Sequence, residues 1–206
     1  MIFFGCGIGI TPAANIIGFD PSINAVENAP FDFSGVGRSG KHWGTLIYDN
    51  IIISARHYAP SGEITFLSGE TRTITHQIGI PNSDTWLGIL NEPVIESRVY
   101  PFDDSTIAHS TAQYIHVNST LAAQAVLEWD DRDIIMIGNH GGVERVAFGE
   151  SFYYVNDETN GSAVTNYRRD TDPDGFGVLT SGDSGSPAFT YIGGVPHLFG
   201  TGWRSD

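Results

Sequence analysis

Apolar residues in this chain gather into many short runs rich in Ile, Val, Thr, Phe and Tyr, set between turn-forming residues. β-Branched and aromatic side chains suit a pleated surface, and glycine and proline interrupt helices. With 25 glycines and 10 prolines among 206 residues, the pattern favours strands separated by turns. Residues 43–48 and 51–54 read as strands around Asp49-Asn50, preceded by a strand that turns at Ser39-Gly40-Lys41. Further strands are expected at 63–67, 71–78 and 85–90, and the alternation in 71–78 marks a half-buried sheet face. After a polar, turn-rich stretch at 101–110, strands resume at 125–128, 134–137, 143–148, 151–155, 188–192 and 197–199. Only 119–127 has helical character, it is short, and no repeat is evident. Two groups of short antiparallel strands predict an all-β chain of two small barrels or a sandwich, divided within 101–110.

The net charge of −14 argues against nucleic acid or an anionic membrane as partner, since both reward Lys and Arg. A solvated acidic surface that keeps a secreted protein soluble is the simpler reading. Cys6 is the only cysteine, so no internal disulfide can form. It lies in the apolar run Ile2-Phe3-Phe4-Gly5-Cys6-Gly7-Ile8-Gly9-Ile10, followed by Thr11-Pro12-Ala13-Ala14. That run is too short to span a bilayer and resembles the apolar part and cleavage region of a secretory signal peptide, without its basic leading segment. Residues 1–14 are therefore expected to be a truncated signal peptide, with a secreted or periplasmic product; a buried first strand is the alternative. A lipid-modified Cys6 fits less well beside Phe3 and Phe4, and no other segment is long and apolar enough for a membrane span.

The stretch Gly182-Asp183-Ser184-Gly185-Ser186-Pro187 sets a serine between two glycines, directly after an acid. Glycine allows a tight turn and lets the backbone approach a substrate with no Cβ in the way. The amides of Gly182 and Ser184 are then able to converge on a carbonyl oxygen that becomes an oxyanion, worth roughly 3 to 4 kcal/mol per donor. A serine is a poor nucleophile by itself, so the motif calls for a histidine base and an acid that orients it. Seven histidines are present, and each taken singly is more readily a surface or core residue. His57 differs because it ends the apolar strand Ile51-Ile52-Ile53-Ser54-Ala55-Arg56, from which a side chain can leave a rigid scaffold. Asp84 stands just ahead of the apolar strand at 85–90, and the order His57, Asp84, Ser184 is one of the known triad orders.

On these residues the chain resembles the trypsin-like, chymotrypsin-fold serine protease family, in a bacterial-type form without disulfides. Ser54-Ala55-Arg56-His57, the Asp84 segment and Gly182 to Pro187 match its three triad segments in order, and the likeness runs from about residue 16 to 203. Ile16-Ile17-Gly18 is similar to the family's mature N-terminus, and the 135–141 segment to its Gly-Trp-Gly strand. The resemblance implies two six-stranded antiparallel β-barrels, here 15–110 and 111–206, with the triad in the cleft between them. It implies a polypeptide substrate, an oxyanion hole at Gly182 and Ser184, and substrate contacts at Val178, six residues before Ser184, and at Trp203. An uncharged Val178 near the pocket base predicts a preference for apolar over basic side chains.

Several positions depart from the family pattern. Tyr58 stands where the family often has cysteine, so packing must brace the histidine loop. Arg56 replaces a small residue beside His57, and a cation there would lower its basicity unless it faces solvent. Asp183 pairs with a new N-terminal amine in animal members; an internal arginine is the alternative here, with Arg168 and Arg169 as candidates by proximity in sequence alone. Only Arg204-Ser205-Asp206 follow Trp203, so the second barrel is expected to be incomplete or closed differently. No cofactor is required. Asp170, Asp172 and Asp174 with Gly175 have the spacing of a calcium-loop start, but Ser181 occupies the position that needs a glutamate, which favours an acidic surface turn. Three functions are consistent with these residues: a serine endopeptidase, an inactive protease-like binding module, and a calcium-dependent structural protein. The intact triad positions favour the first. The sequence does not indicate an oligomeric state.

Overall fold

The computed structural model describes residues 14–16, 25–29, 32–81, 83–101, 132–140, 143–155, 163–167, 177–179 and 183–201. Six strands form a closed antiparallel barrel: β2 (Val36–Ser39), β3 (His42–Tyr48), β4 (Ile51–Ala55), β5 (Glu63–Phe66), β6 (Thr71–Gly79) and β7 (Thr85–Leu90). Their order is β2-β3-β4-β7-β6-β5, and pairing of β5 with β2 closes the ring. The strands expected across 43–90 are all present, each within a residue or so of its expected ends.

Burial alternates with period two in β5 and β7, whereas β6 buries only Ile74, so the half-buried face expected across 71–78 is not present. Along β7 the buried positions are Trp86, Gly88 and Leu90, and along β5 they are Ile64 and Phe66. With Leu46, Ile52, Ile74 and Val94 these side chains make one cluster. Gly88 gives the Trp86 indole its place, since a Cβ there would stand 2.5 Å from Trp86 Cη2.

The second half is a five-stranded antiparallel sheet in the order β10-β9-β8-β12-β13. Its members are β8 (Arg132–His140), β9 (Val143–Val155), β10 (Ala163–Tyr167), β12 (Pro187–Ile192) and β13 (Val195–Thr201). Runs expected as two strands, 143–148 and 151–155, form the single strand β9, because nothing in Gly149-Glu150 breaks its ladder with β8. Among the described residues this sheet does not close, so a second complete barrel is not seen. The short strands β1 (Ala14–Ile16) and β11 (Gly177–Leu179) pair separately, Asn15 opposite Val178. The N-terminal strand thus joins the second half of the chain rather than the barrel. The strand and helix expected within 119–128, and most of the 101–110 connection, lie outside the described residues.

A second cluster welds the halves together. Phe33, Val36, Trp43, Ile53 and Tyr100 from the first half meet Ile135, Ile137, Phe189 and Leu198 from the second. Phe189 is met by Phe33 at 5.7 Å and Tyr100 at 4.7 Å, both tilted, a favoured arrangement of rings. β4 serves both clusters, Ile52 inside the barrel and Ile53 against the second sheet. A strand buried on both faces needs a continuous apolar run, which is why Ile51-Ile52-Ile53 does not alternate. This strand ends at the candidate site.

Candidate active site

Antiparallel register decides what stands beside His57. Ser54 pairs with Trp86 and Ala55 with Thr85, and the Arg56 N–H continues the ladder to the Asp84 carbonyl. The chain then leaves the sheet in a 3-10 turn, Arg56–Tyr58, which directs the His57 side chain outward. The chain on either side of Asp84 is joined by Ser83, whose Oγ accepts the Thr85 N–H at 3.0 Å and donates to Thr85 Oγ1 at 2.8 Å.

His57 and Asp84 are joined twice. The His57 backbone N–H donates to Asp84 Oδ1 at 2.9 Å, and ring Nδ1 lies 2.6 Å from Oδ2. A carboxylate only accepts, so Nδ1 carries the proton and a neutral ring keeps its lone pair on Nε2. Asp84 is the more enclosed of the two, its side chain 21% exposed against 42% for His57. The pair offers an oriented base at a surface that a substrate can reach.

Ser184 lies in a turn between β11 and β12 that the Ser186 N–H closes by donating to the Asp183 carbonyl at 2.8 Å. Asp183 and Ser186 are buried and Ser184 is half-buried. Gly185 has φ +84°, and a Cβ there would run into Ser54 Oγ and lie 3.3 Å from the Ala55 nitrogen. Glycine is needed at 185 for its backbone angle and for space. The Ser184 turn is therefore packed on the last residues of β4, immediately before the His57 turn. His57 and Asp84 are directly bonded, and Ser184 comes from the other half to the same strand end.

At the His57 turn the rings of His42 and Tyr58 stack at 4.1 Å with 27° between planes. Sequence reasoning expected packing here without naming the partner, because the two residues are far apart along the chain and share no motif. Arg56 is exposed, the solvent-facing alternative, and its guanidinium lies across Gly79 at 3.1 to 3.3 Å from where a Cβ would stand. Ser54, whose Oγ is buried with no hydrogen-bond partner among the described residues, was also unforeseen as a contact of the serine turn.

Val178 lies in β11 opposite Asn15. Gly182, Trp203, Arg168, Arg169 and the acidic positions Asp170, Asp172 and Asp174 lie outside the described residues. Among the described residues no three His, Cys, Asp or Glu side chains converge as a metal site requires.

No protein-family model matches the chain, and no curated protein sequence matches it. Among solved structures it is similar to the NS6 protease of murine norovirus 1, with 14% identity, a TM-score of 0.46 and coverage of 84% of each chain. It is also similar to kallikrein-related peptidase 10 in complex with Zn2+, with 16% identity and a TM-score of 0.49 over 86% of this chain and 82% of the other.

Proposed function

We propose that this chain is a serine endopeptidase, secreted or periplasmic, that hydrolyses polypeptides through His57, Asp84 and Ser184. The observation that carries the reading is the pair of hydrogen bonds that His57 donates to Asp84, which leaves Nε2 as the basic atom of an oriented imidazole. The packing of the Ser184 turn on Ser54 and Ala55 supports it further.

In this reading Ser184 Oγ attacks the scissile carbonyl while His57 Nε2 takes its proton. Asp84 holds the tautomer and stabilises the imidazolium that forms. The amides of Gly182 and Ser184 receive the oxyanion. His57 returns the proton to the leaving amine, which breaks the C–N bond and leaves an acyl group on Ser184. Water, deprotonated by His57, adds to that ester and releases the acid. In the same reading the primary pocket is assigned to Val178 and Trp203, with a preference for apolar side chains; efficient cleavage after Arg with none after Leu or Phe would overturn that preference.

A fluorophosphonate probe tests the central claim. Wild type becomes modified at Ser184 and Ser184→Ala does not. An unmodified wild type would leave the inactive binding module as the better description.

A further inference from the structure

We propose that His42 and Tyr58 are positioning residues for His57, a non-covalent brace on the turn that carries it; this rests on the triad reading above. His42 opens β3, and Tyr58 closes the turn that holds His57. Beyond the stacked rings, His42 Nδ1 lies 3.1 Å from the Tyr58 carbonyl oxygen. A carbonyl only accepts, so Nδ1 is protonated and donates. One side chain thus holds Tyr58 by its ring and by its backbone, and neither can shift without breaking a contact to the other.

Neighbouring residues extend the grip. Ser39, cross-strand partner of His42, donates from Oγ to the Ser61 carbonyl at 2.6 Å. Pro60 lies against Gly44, its Cγ 3.7 Å from where a Cβ would stand. The β2–β3 hairpin therefore clasps the chain at 58, 60 and 61, while Asp84 clasps it at 57. His57 hangs between these two holds. Its own ring is substantially exposed, so surrounding packing does little to fix it. A base displaced by about 1 Å loses on the order of 100-fold in rate, so the rigidity of this turn enters the chemistry directly.

The test compares Tyr58→Phe, Tyr58→Leu, His42→Phe and His42→Ala with wild type. Three quantities are measured: the fluorophosphonate labelling rate at Ser184, the melting temperature, and the low-field proton resonance of His57 Nδ1. Tyr58→Phe keeps ring and carbonyl and should match wild type. Tyr58→Leu and His42→Ala should lose at least about tenfold in labelling rate and broaden the Nδ1 resonance at unchanged melting temperature. His42→Phe keeps the stack, loses the hydrogen bond, and should fall between. Should Tyr58→Leu not fold, His42→Phe carries the test through the same resonance. A wild-type resonance and labelling rate in Tyr58→Leu and His42→Ala would overturn the proposal. If wild type itself resists labelling, the triad reading fails, and the resonance alone decides: loss in the variants supports the brace, persistence overturns it.

Discussion

Asp84 grips His57 through both carboxylate oxygens, Oδ1 on the backbone N–H at 2.9 Å and Oδ2 on ring Nδ1 at 2.6 Å. Each of these bonds needs an acceptor. An asparagine has one oxygen and one NH2, so Asp84→Asn faces a donor with a donor at one position and lets the imidazole take the other tautomer. Labelling of Ser184 and peptide hydrolysis are expected to fall on the order of 10^4-fold, with little change in melting temperature. Retention of most of the wild-type rate would mean that Asp84 does not orient the base.

Gly185→Ala should destabilise the fold by about 1–3 kcal/mol, because it demands a left-handed backbone from alanine and drives a methyl into Ser54 Oγ. Ser54→Ala should cost little, since that hydroxyl has no hydrogen-bond partner among the described residues. The double variant should recover part of the loss. Urea denaturation of the four proteins in a double-mutant cycle measures this, and strict additivity would show that the two residues do not press on each other.

Glu70 fastens the loop before Tyr100. Its Oε1 accepts from Arg72 at 2.6 Å and the Ile95 N–H at 3.3 Å, and Oε2 from the Glu96 N–H at 2.9 Å and Ser97 Oγ at 3.3 Å. Burial pushes this carboxyl up, but the two backbone donors, the Arg72 charge and the Ser97 hydroxyl together outweigh it and hold it below its ordinary 4.5. A lowered carboxyl contributes stability above its unfolded value and loses it as pH falls through the folded one. At neutral pH Glu70→Gln should cost about 1–3 kcal/mol, and thermal melts from pH 7 downward should show the gap from wild type closing only in acid. A gap independent of pH would rule out the charge as its source.

Tyr100 is fully buried between the halves, accepting the Gly35 N–H at 3.3 Å and donating to the Asp32 carbonyl at 2.8 Å. Burial pushes the phenol well above its ordinary 10.0, with Asp32 adding to the rise, against the Gly35 bond and Arg98. A raised acid contributes stability below its unfolded value and loses it as pH climbs. Tyr100→Phe should cost about 1–2 kcal/mol at neutral pH by leaving polar backbone unpaired. It should also be less sensitive to alkali than wild type in denaturation from pH 8 upward; equal alkaline losses would place the sensitivity elsewhere.

The barrel was legible because its strands announce themselves locally: short runs rich in β-branched and aromatic residues at 63–67 and 85–90, the turn at Gly40, the break at Asp49-Asn50. The edges of the second half were less so. β10 and β11 were not foreseen, being short and set in polar sequence, and β1 joins β11 rather than the barrel that follows it. Periodicity marks that a residue belongs to a strand and carries nothing about which strand lies beside it.

The same division runs through the candidate site. From the amino-acid sequence alone came the all-β class, the strand ends that carry His57 and Asp84, and a serine turn that requires glycine, since each depends on residues a few positions apart. Tertiary structure decided the rest. The β4–β7 register sets Asp84 opposite Arg56 and so within hydrogen-bond reach of His57, the packing of Gly185 seats the serine turn on Ser54, and His42 is the residue that holds Tyr58. Those relations join positions distant in the chain, and they exist only once burial of the two apolar clusters has selected one pairing of the strands.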